Sequence, residues 1–504
     1  MLSEYVIIPL VLLTILFLIY EVKKHKKTTV PGPPFVEGIR TLLKGLQQNT
    51  LHKIAAKWAA RYGDIVAVDA VFRQVVFVNN AGLARKLLCD PNTKDLSNDR
   101  PPSFTGKEVF LSYTDIITAP YNKDLSQRRR LFHNVLKFYG QGVHNFEHLM
   151  KTTSRQLIDR LTQYEADVPL SMELTRYIRW VVGLLLKGPH TCEEDLEAMV
   201  TFVNKVNESY LFENEIFLET FPFVKHIPGL RLRQLVLELR AAHTDLKNKV
   251  FVSIRETFMK GEKNSIVTDL LDQQEELKQK GNYTDLSDDV IISLISDIAA
   301  AAYATTAGTL TTLFLQVISD PKLQERMYKE IREVIGNDAP SFEYKRQMPY
   351  IEATILETMR YSSVLPFLLP HYARSDINFE GHFIPKNTFL LINSWYFHHR
   401  EDLWEDPWTF KPERFLDSNG QLLEPDHPTR QNLLVFGAGR RACPGESFAR
   451  IRVFFVVVTL LQQYQFLPPE DEDLPSCCPR DWKQLTVISP DQFKCRMKPR
   501  PMTS

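Results

Sequence analysis

Apolar residues repeat with the period of an α-helix in four stretches of the chain, at residues 51–61, 145–165, 193–209 and 350–362. Residues 64–78 differ, because they are rich in valine and alternate with a period of two, which predicts a hairpin of strands. A further short strand is predicted at residues 486–488. These patterns predict several helices, one hairpin and one further short strand.

The longest predicted helix begins after the N-cap residue Ser287 and runs to Asp320. Apolar residues occupy all sides of its first half, so we expect it to be largely buried. Small side chains fill its middle, at residues 299–302 and 304, and they would let a flat cofactor or substrate pack against the helix. Thr305 and Thr306 follow, and a threonine hydroxyl can bond back to a helix carbonyl and open the helix locally.

A different apolar pattern stands at the N-terminus, where residues 5–20 carry no charge. As a helix this run would rise roughly 24 Å, close to the core of the thin endoplasmic reticulum bilayer. A cleaved signal peptide is the alternative, but Glu4 precedes the run and lysines follow it, which favours an uncleaved anchor with the body of the protein in the cytosol. We therefore expect a single-pass membrane anchor at residues 1–22, a basic and proline-rich linker at 23–34, and one domain at 35–504.

Composition narrows the class of protein. The 504 residues are 44% hydrophobic and carry a net charge of zero, so nothing points to nucleic-acid binding. The cysteines form neither a zinc spacing nor an evident disulfide framework, which fits a reducing, cytosol-facing body. They are Cys89, Cys192, Cys443, Cys477, Cys478 and Cys495.

One cysteine stands in a setting suited to a metal-ligating thiolate. Cys443 lies in a glycine-rich stretch, residues 436–445, with arginines just before it and an apolar helical segment just after it. Nearby cations and backbone N–H groups lower the pKa of a thiol, and glycines permit close approach of the backbone to a flat ligand. Arg441 could meet an acidic group on that ligand. A single thiolate suggests the axial ligand of a haem iron; the alternative is an ordinary buried cysteine beside a glycine turn.

The same stretch matches Phe-x-x-Gly-x-Arg-x-Cys-x-Gly, and in this it resembles the haem loop of cytochromes P450. The resemblance implies the P450 fold, mainly α with small β-sheets and an N-terminal transmembrane helix, with residues 35–504 as the catalytic domain. It also implies haem b as the cofactor, with Cys443 as the iron ligand and Phe436, Gly439 and Arg441 as further haem-binding residues.

Other positions extend the resemblance. Arg129 and His371 match residues that bind the haem propionates, although Leu125 replaces the tryptophan expected four residues before Arg129. Leucine has no donor, so one propionate contact is missing. The family's Glu-x-x-Arg and Pro-Glu-Arg-Phe motifs recur and imply a buried structural network that supports folding and haem retention. Its members are Glu357, Arg360 and Arg414.

The centre of the long helix resembles the family's oxygen-binding motif. Thr305 matches the threonine of the proton-delivery network, but Ala302 replaces its glycine and Ala304 replaces its acid. The apolar residues 211–232 resemble a lid over the substrate pocket; buried core is the alternative. The resemblance further implies a set of substrate-pocket residues: Asn207, Ala301, Val364, Leu365, Leu369 and Val487.

These matches imply a monooxygenase that inserts one oxygen atom from O2 into a lipophilic steroid, lipid or xenobiotic. Electrons would come from NADPH–cytochrome P450 reductase, with cytochrome b5 as a second donor, at the endoplasmic reticulum membrane. The chain resembles animal microsomal enzymes related to steroid 17- and 21-hydroxylases and aryl-hydrocarbon hydroxylases. Two alternatives stay open: an isomerase that rearranges a peroxide substrate, which the missing acid at Ala304 motivates, and a haem-binding protein without turnover.

Overall fold

The structure, a computed structural model, describes residues 27–70, 73–138, 144–209, 212–262, 264–281, 286–483 and 487–501. The predicted anchor at residues 1–22 lies outside this part of the chain. The chain divides into two units. The smaller comprises Met1–Pro101, Pro366–Arg400 and Phe436–Ala442, and the larger comprises Pro102–Leu365, Glu401–Val435 and Cys443–Ser504.

A four-stranded sheet forms the centre of the smaller unit. Strands β1, Ile65–Ala70, and β2, Arg73–Val78, pair antiparallel, with Ile65 opposite Val78. Valines fill this pair on both faces because both faces are largely buried. The predicted hairpin is therefore confirmed. Strand β6, Phe389–Ile392, adds parallel to β2, and β3, His371–Tyr372, pairs antiparallel with β6.

The rest of the smaller unit consists of short helices and one hairpin. The hairpin joins β4, Ile377–Phe379, to β5, His382–Ile384. The helices are α1, Phe35–Gln47; α2, Leu51–Tyr62; α3, Ala81–Cys89; α4, Lys94–Ser97; and α18, Ser394–Phe397. Helix α2 confirms the helix predicted at residues 51–61.

The larger unit is mainly helical and carries one two-stranded sheet, in which β7, Tyr464–Leu467, pairs with β8, Arg496–Pro499. The helices predicted near residues 145–165, 193–209 and 350–362 are confirmed within a few residues. The helices of this unit are α5, Phe104–Glu108; α6, Lys123–Phe138; α7, His144–Leu161; α8, Leu170–Lys187; α9, Glu193–Ser209; α10, Phe212–Thr220; α11, Arg231–Leu246; α12, Ser253–Arg255; α13, Ile266–Gln279; α14, Asp288–Ala302; α15, Ala304–Ser319; α16, Pro321–Ile335; α17, Pro349–Ser362; α19, Pro428–Gln431; and α20, Glu446–Gln463.

Helices α14 and α15 together form the predicted long helix. Ser287 caps its start by accepting a hydrogen bond from the N–H of Val290 at 3.4 Å. Asp320 ends it and caps α16 by accepting from the N–H of Lys322 at 2.9 Å. The span Asp288–Ser319 is long and apolar enough to cross a membrane, but 72% of its most apolar window is buried inside the protein. It is the core helix of this unit, as predicted, with one break at Tyr303.

The strand predicted at residues 486–488 lies partly outside the described residues, because Thr486 is not among them. Val487 lies in a bend, and Ile488 occupies a bridge position, with its N–H donating to the carbonyl of Val364 at 2.8 Å. The strand therefore stays a prediction.

Candidate haem and oxygen site

The thiol of Cys443 lies just before the N-terminus of α20 and keeps an exposed surface. Closely packed protein atoms raise the pKa of this thiol. A hydrogen bond from the N–H of Gly445 and the positive charges of Arg129 and Arg452 act in the opposite direction and lower its pKa. A helix N-terminus also favours an anion. The surroundings therefore combine an accessible sulfur with several groups that stabilise a thiolate.

Arg129 lies half-buried on α6, and burial lowers the pKa of its guanidinium. The negative charges of Cys443 and Asp297 raise the pKa of Arg129, so these groups lie within electrostatic reach of one another. The structure thus brings together two residues that were predicted separately from the sequence. Leu125, one turn earlier, is completely buried. A larger side chain there would therefore enter space that is already filled.

The break in the long helix coincides with its small side chains. Residues 290–299 and 306–318 are buried, whereas Ala300–Ala302, Ala304 and Thr305 keep accessible surface. The hydroxyl of Thr305 donates to the carbonyl of Ala301 at 2.8 Å, and that of Thr306 donates to Ala302 at 3.0 Å. These bonds take carbonyls that the regular helix would use, as the sequence predicted. A flat molecule can therefore approach this turn of the helix.

Arg452 was missed by the sequence reasoning. It lies on α20 with 2% of its surface exposed, and its Nη2 donates to the carbonyl of Ala302 at 3.1 Å and to the hydroxyl of Thr306 at 2.9 Å. Burial lowers the pKa of Arg452 to about 10. The sequence shows it only as the second of two arginines, Arg450 and Arg452, just before an apolar run.

A second missed cluster lies beside the long helix. Asp297 and Asp115 are both buried, and burial raises the pKa of each carboxyl. Asp297 accepts from the N–H of Ile116 at 2.8 Å, and Arg128 donates to the carbonyl of Asp115 at 2.9 Å. The cluster ties residues 113–118 to α14. Asp297 is therefore the nearest described acid before Ala304 on the same helix, two turns away.

In the smaller unit, three basic residues lie around β3 and the segment before it. His371 is buried, with Nδ1 3.1 Å from the carbonyl of Ser97. Burial, together with the charges of Arg100 and Arg441, lowers the pKa of His371 well below its usual value, so the imidazole is neutral. Arg441 donates to the carbonyl of Asn98 at 2.9 Å. Arg100, which the sequence reasoning missed, completes a cationic group suited to the carboxylates of a ligand.

The loop that carries Arg441 depends on glycine. Gly439 has φ +65°, and a Cβ there would lie 2.4 Å from the carbonyl oxygen of Leu88. Both the backbone angle and the close approach exclude a side chain. Phe436, at the start of this loop, is half-buried. The predicted loop residues thus occupy positions at which the local geometry restricts substitution.

The predicted structural network is assembled in the larger unit. Arg360 donates from Nε and Nη2 to the two carboxylate oxygens of Glu357, at 2.7 and 2.8 Å, and both side chains are fully buried. Arg414 Nε donates to the same carboxylate at 3.3 Å, and so does the N–H of Lys411 at 2.8 Å. One carboxylate therefore holds two guanidinium groups and one backbone N–H.

The predicted substrate residues are only partly brought together. Val364 is buried, its backbone pairs with Ile488 next to Val487, and its side chain lies 3.6 Å from the position of a Cβ on Gly308. Ala301 is exposed beside the helix break, and Leu365 and Val487 are half-buried. Asn207 lies half-buried on α9, and Leu369, in the smaller unit, is 37% exposed.

Residues 212–232 form short helices with a mixed surface. Phe217, Phe223 and Ile227 are exposed, whereas Leu218 and Val224 are buried, so the buried-core interpretation holds for only part of this segment. Its inner side is anchored by the carboxylate of Glu215, which accepts from the hydroxyl of Ser103 at 2.6 Å and from the N–H of Thr105 at 3.1 Å. The segment therefore has one anchored side and one apolar exposed side.

Together these features define a class of protein. An accessible thiol with stabilising cations fits a haem iron held by a thiolate, and the basic group around His371 fits the haem propionates. The helix break supplies small residues and a hydroxyl of the kind that such a cofactor needs beside it.

Comparison with known proteins identifies the family. Residues 30–495 match Cytochrome P450, and the chain belongs to the cytochrome P450 family. It is 27% identical to Cytochrome P450 1A1 of Pleuronectes platessa, over 92% of each chain. It is 26% identical to the steroid 17-alpha-hydroxylase/17,20 lyase of Oryzias latipes, over 99% of this chain and 97% of the relative. A zebra fish cytochrome P450 solved with progesterone superposes with a TM-score of 0.75 at 25% identity, over 89% of this chain and 99% of that one.

The predicted family, its largely helical fold with small sheets, its haem cofactor and its enzyme class are thereby confirmed. The protein is a microsomal-type animal P450 and a haem-thiolate monooxygenase. The family implies a redox partner and lipophilic substrates, and the microsomal relatives indicate the endoplasmic reticulum membrane.

Proposed function

We propose that Cys443 is the axial ligand of the haem iron and that the enzyme hydroxylates a lipophilic substrate of steroid size. The accessible thiol of Cys443, stabilised by Arg129 and Arg452, is the observation that supports the ligand assignment. Thiolate-ligated haem supplies the activation of O2 that this class of reaction requires. The protein binds and orients the substrate and excludes water.

The remaining haem contacts are proposed from the match of basic residues to the family's motifs. Arg129, His371 and Arg441 would each bind a propionate oxygen. The neutral imidazole of His371 can donate one hydrogen bond, whereas the guanidinium groups can make charge-assisted pairs. Phe436 and Gly439 would shape the loop against the ring. Glu357 and its two arginine partners would support folding and haem retention.

Thr305 is the proposed catalytic residue. Its hydroxyl lies at the opened turn, where it would hold a water and a proton on the substrate side of the haem site. Ala304 cannot relay protons from solvent, so this chain needs another proton route. The buried acid Asp297 is one candidate, because its Oδ1 has no hydrogen-bond partner among the described residues. A water could link this oxygen to the opened turn.

A steroid is the first substrate class to test. Relatives of the chain include steroid 17-alpha-hydroxylases, and a solved relative contains progesterone. Small and apolar residues would form the pocket, and Asn207 could hydrogen-bond a substrate oxygen. The proposed pocket residues are Asn207, Ala301, Val364, Leu365, Leu369 and Val487.

The proposed cellular setting matches that of microsomal relatives. Residues 1–22 would anchor the chain in the endoplasmic reticulum membrane, residues 23–34 would link it to the catalytic domain at 35–504, and this domain would face the cytosol. Phe217, Phe223 and Ile227 would add a membrane contact, since they form an apolar exposed surface. NADPH–cytochrome P450 reductase would deliver electrons, with cytochrome b5 as a second donor.

The ligand assignment predicts the effect of Cys443→Ser. This variant should lose the characteristic absorption band of the reduced CO complex and all oxygenation, because serine cannot supply a thiolate. Cys89→Ser, at another exposed cysteine, is the control and should keep the band. A normal CO spectrum in Cys443→Ser would exclude the assignment.

The reaction is tested with purified enzyme and reductase. Steroids, fatty acids and polycyclic aromatic compounds are screened first for shifts in the haem spectrum, and binders are then tested for oxygenated products. We expect turnover that requires NADPH, reductase and O2. Conversion of a lipid hydroperoxide without reductase, and no reductase-dependent product, would instead establish the isomerase alternative that Ala304 motivates.

A further inference from the structure

Helix α20 contacts the long helix at its break through one side chain. Arg452 has 2% of its surface exposed, and its guanidinium lies over the ring of Phe448, with Cζ 4.7 Å from the ring centroid. Its Nη2 donates to the carbonyl of Ala302 at 3.1 Å and to the hydroxyl of Thr306 at 2.9 Å. Ala302 ends α14, and Thr306 lies in the first turn of α15. The guanidinium therefore binds both sides of the break.

The end of α14 also compensates the buried charge of this guanidinium. Both hydrogen-bond acceptors of Arg452 are neutral groups, and a buried charge without compensation is strongly unfavourable. The C-terminal end of a helix carries partial negative charge, and α14 is 15 residues long and ends at the carbonyl that Arg452 contacts. The face of the Phe448 ring adds a further attraction for the cation. An unbroken helix would not present such an end, so the break and the cation stabilise each other.

We propose that Arg452 is a positioning residue that keeps the long helix broken at Tyr303 and thereby fixes the place of the Thr305 hydroxyl. In an unbroken helix the carbonyl of Ala302 would accept from the backbone N–H four residues later. Two side-chain donors bind that oxygen instead: the hydroxyl of Thr306 at 3.0 Å and the guanidinium of Arg452. A carbonyl oxygen has two lone pairs, so these donors oppose closure of the helix. The proposal rests on the proposed catalytic role of Thr305.

The break changes what the backbone offers beside Thr305. Residues 304–306 form the first turn of α15, and the first N–H groups of a helix have no partner within that helix. The N–H of Ala307 is the next in order and donates to the carbonyl of Tyr303 at 2.8 Å. Ala304 and Thr305 keep accessible surface, so N–H groups of this turn and the Thr305 hydroxyl can together hold water where Ala304 offers no acid. Closure of the helix would pair these N–H groups with carbonyls of α14 and remove them as donors.

Hydrogen–deuterium exchange of substrate-free holoenzyme, followed by mass spectrometry, measures the break directly. Arg452→Met keeps an unbranched side chain but removes the charge and the donors. The helix should then close, and exchange of residues 303–306 should slow by on the order of tenfold as their N–H groups gain partners. Arg452→Lys keeps a cation with several donors, and Nη2 alone makes both contacts in the wild type. Exchange in the lysine variant should therefore stay within about threefold of wild type.

Two threonines on α15 provide a partner variant and a matched control. Thr306→Val removes the hydroxyl that Arg452 contacts, so it should slow the same exchange, though less than Arg452→Met. Combining the two substitutions should add little to Arg452→Met alone, because both act at one carbonyl. Thr311 also donates to a helix carbonyl, that of Ala307 at 2.5 Å, but neither hydrogen bond of Arg452 reaches it. Thr311→Val should therefore leave the exchange of residues 303–306 unchanged.

Turnover with reductase links the break to the reaction. Arg452→Met should lower the ratio of product formed to NADPH consumed by about threefold or more and raise H2O2 release, at unchanged substrate affinity. Arg452→Lys should restore most of this ratio. If Thr305→Ala leaves the ratio unchanged, the proposed role of Thr305 is wrong. The exchange measurement decides separately whether Arg452 holds the break.

A purely structural role of Arg452 gives a different result. Lost packing alone would lower the urea midpoint and speed exchange along the whole long helix, and this outcome would overturn the proposal. An unchanged exchange rate of residues 303–306 in a haem-bearing Arg452→Met enzyme would overturn it as well. Where that variant does not retain haem, Thr306→Val and Arg452→Lys decide. The proposal requires slower exchange in the valine variant and nearly wild-type exchange in the lysine variant.

Discussion

Replacing Glu357 with glutamine tests whether the buried network stabilises the larger unit through charge. Glutamine keeps the size of the side chain and one carbonyl acceptor, but it removes the negative charge that pairs with the guanidinium of Arg360. That guanidinium makes two hydrogen bonds to Glu357, at 2.7 and 2.8 Å, and neither side chain has any exposed surface. Breaking a buried pair of this kind costs about 3–5 kcal/mol.

The third member of the network limits this cost. Arg414 makes a long bond to Glu357, at 3.3 Å, and also donates to the carbonyls of Asp406 and Thr409 at 2.7 and 3.1 Å. It therefore keeps most of its partners in the variant. The destabilisation should come mainly from Arg360, and we expect Glu357→Gln to cost about 3 kcal/mol or more in the free energy of unfolding.

Urea titration of the holoenzyme, followed by circular dichroism and by the CO complex, measures the effect. The control is Glu413→Gln, because Glu413 pairs with Arg326 at the surface, where both side chains are at least 40% exposed. Such surface pairs contribute about 0–1 kcal/mol. If the two variants lower the urea midpoint equally, burial does not determine how much the network contributes to the free energy of unfolding, and the reasoning is wrong.

A double substitution sharpens the test. Glu357→Leu combined with Arg360→Met replaces both charges by apolar groups, and such replacements of buried pairs are often close to neutral. We expect the double variant to be more stable than either single variant. A double variant whose loss equals the sum of the two single losses would show that the residues act independently.

Three further predictions concern the haem pocket and its helix. Leu125→Trp should destabilise the protein by about 1–3 kcal/mol, because Leu125 is completely buried; slower haem transfer to an acceptor globin would contradict this. Ala304→Glu should raise the ratio of product to NADPH consumed and reduce H2O2 release, since it places an acid beside Thr305; an unchanged ratio with intact substrate affinity would show that another relay already suffices. Asp297→Asn should gain stability relative to wild type as the pH rises above about 4. The reason is the raised pKa of Asp297, because of which the folded wild type must ionise a buried carboxyl as the pH rises. Equal urea midpoints for variant and wild type at pH 5 and pH 8 would show that ionisation of Asp297 does not set this dependence.

Local signals in the sequence predicted much of the fold and of the site. The cap at Ser287, the valine alternation in β1 and β2, and the threonines at the helix break are set by neighbouring residues, and the structure contains each of them. The motif around Cys443 predicted the local environment of this cysteine, because the glycines and arginines of the motif lie within ten residues of it. The strand expected at residues 486–488 stays a prediction, since Thr486 lies outside the described residues and a strand depends on a partner far away in the chain.

Residues whose role depends on burial were missed for the same reason. Nothing local distinguishes Arg452 from a surface arginine, and only the packing of α20 against the long helix makes it a buried cation. Asp297 and Asp115 lie far apart in sequence, so their proximity depends on how residues 113–118 fold against α14. Leu125 was interpreted through a lost hydrogen bond, whereas its complete burial reveals a steric constraint that the sequence did not indicate.

The alternation of buried and accessible stretches along the long helix also predicts how natural variants should behave. Substitutions at residues 290–299 and 306–318 enter a packed interior, so they should lower the amount of folded enzyme in the cell. Substitutions at Ala300–Ala302, Ala304 and Thr305 meet accessible surface and should leave protein abundance unchanged while altering product profile and rate. A saturation-mutagenesis experiment that scores protein abundance and enzyme activity separately should therefore divide this helix into three zones. Substitutions in the two outer zones should lower abundance, and substitutions in the middle zone, about one and a half turns long, should change activity alone.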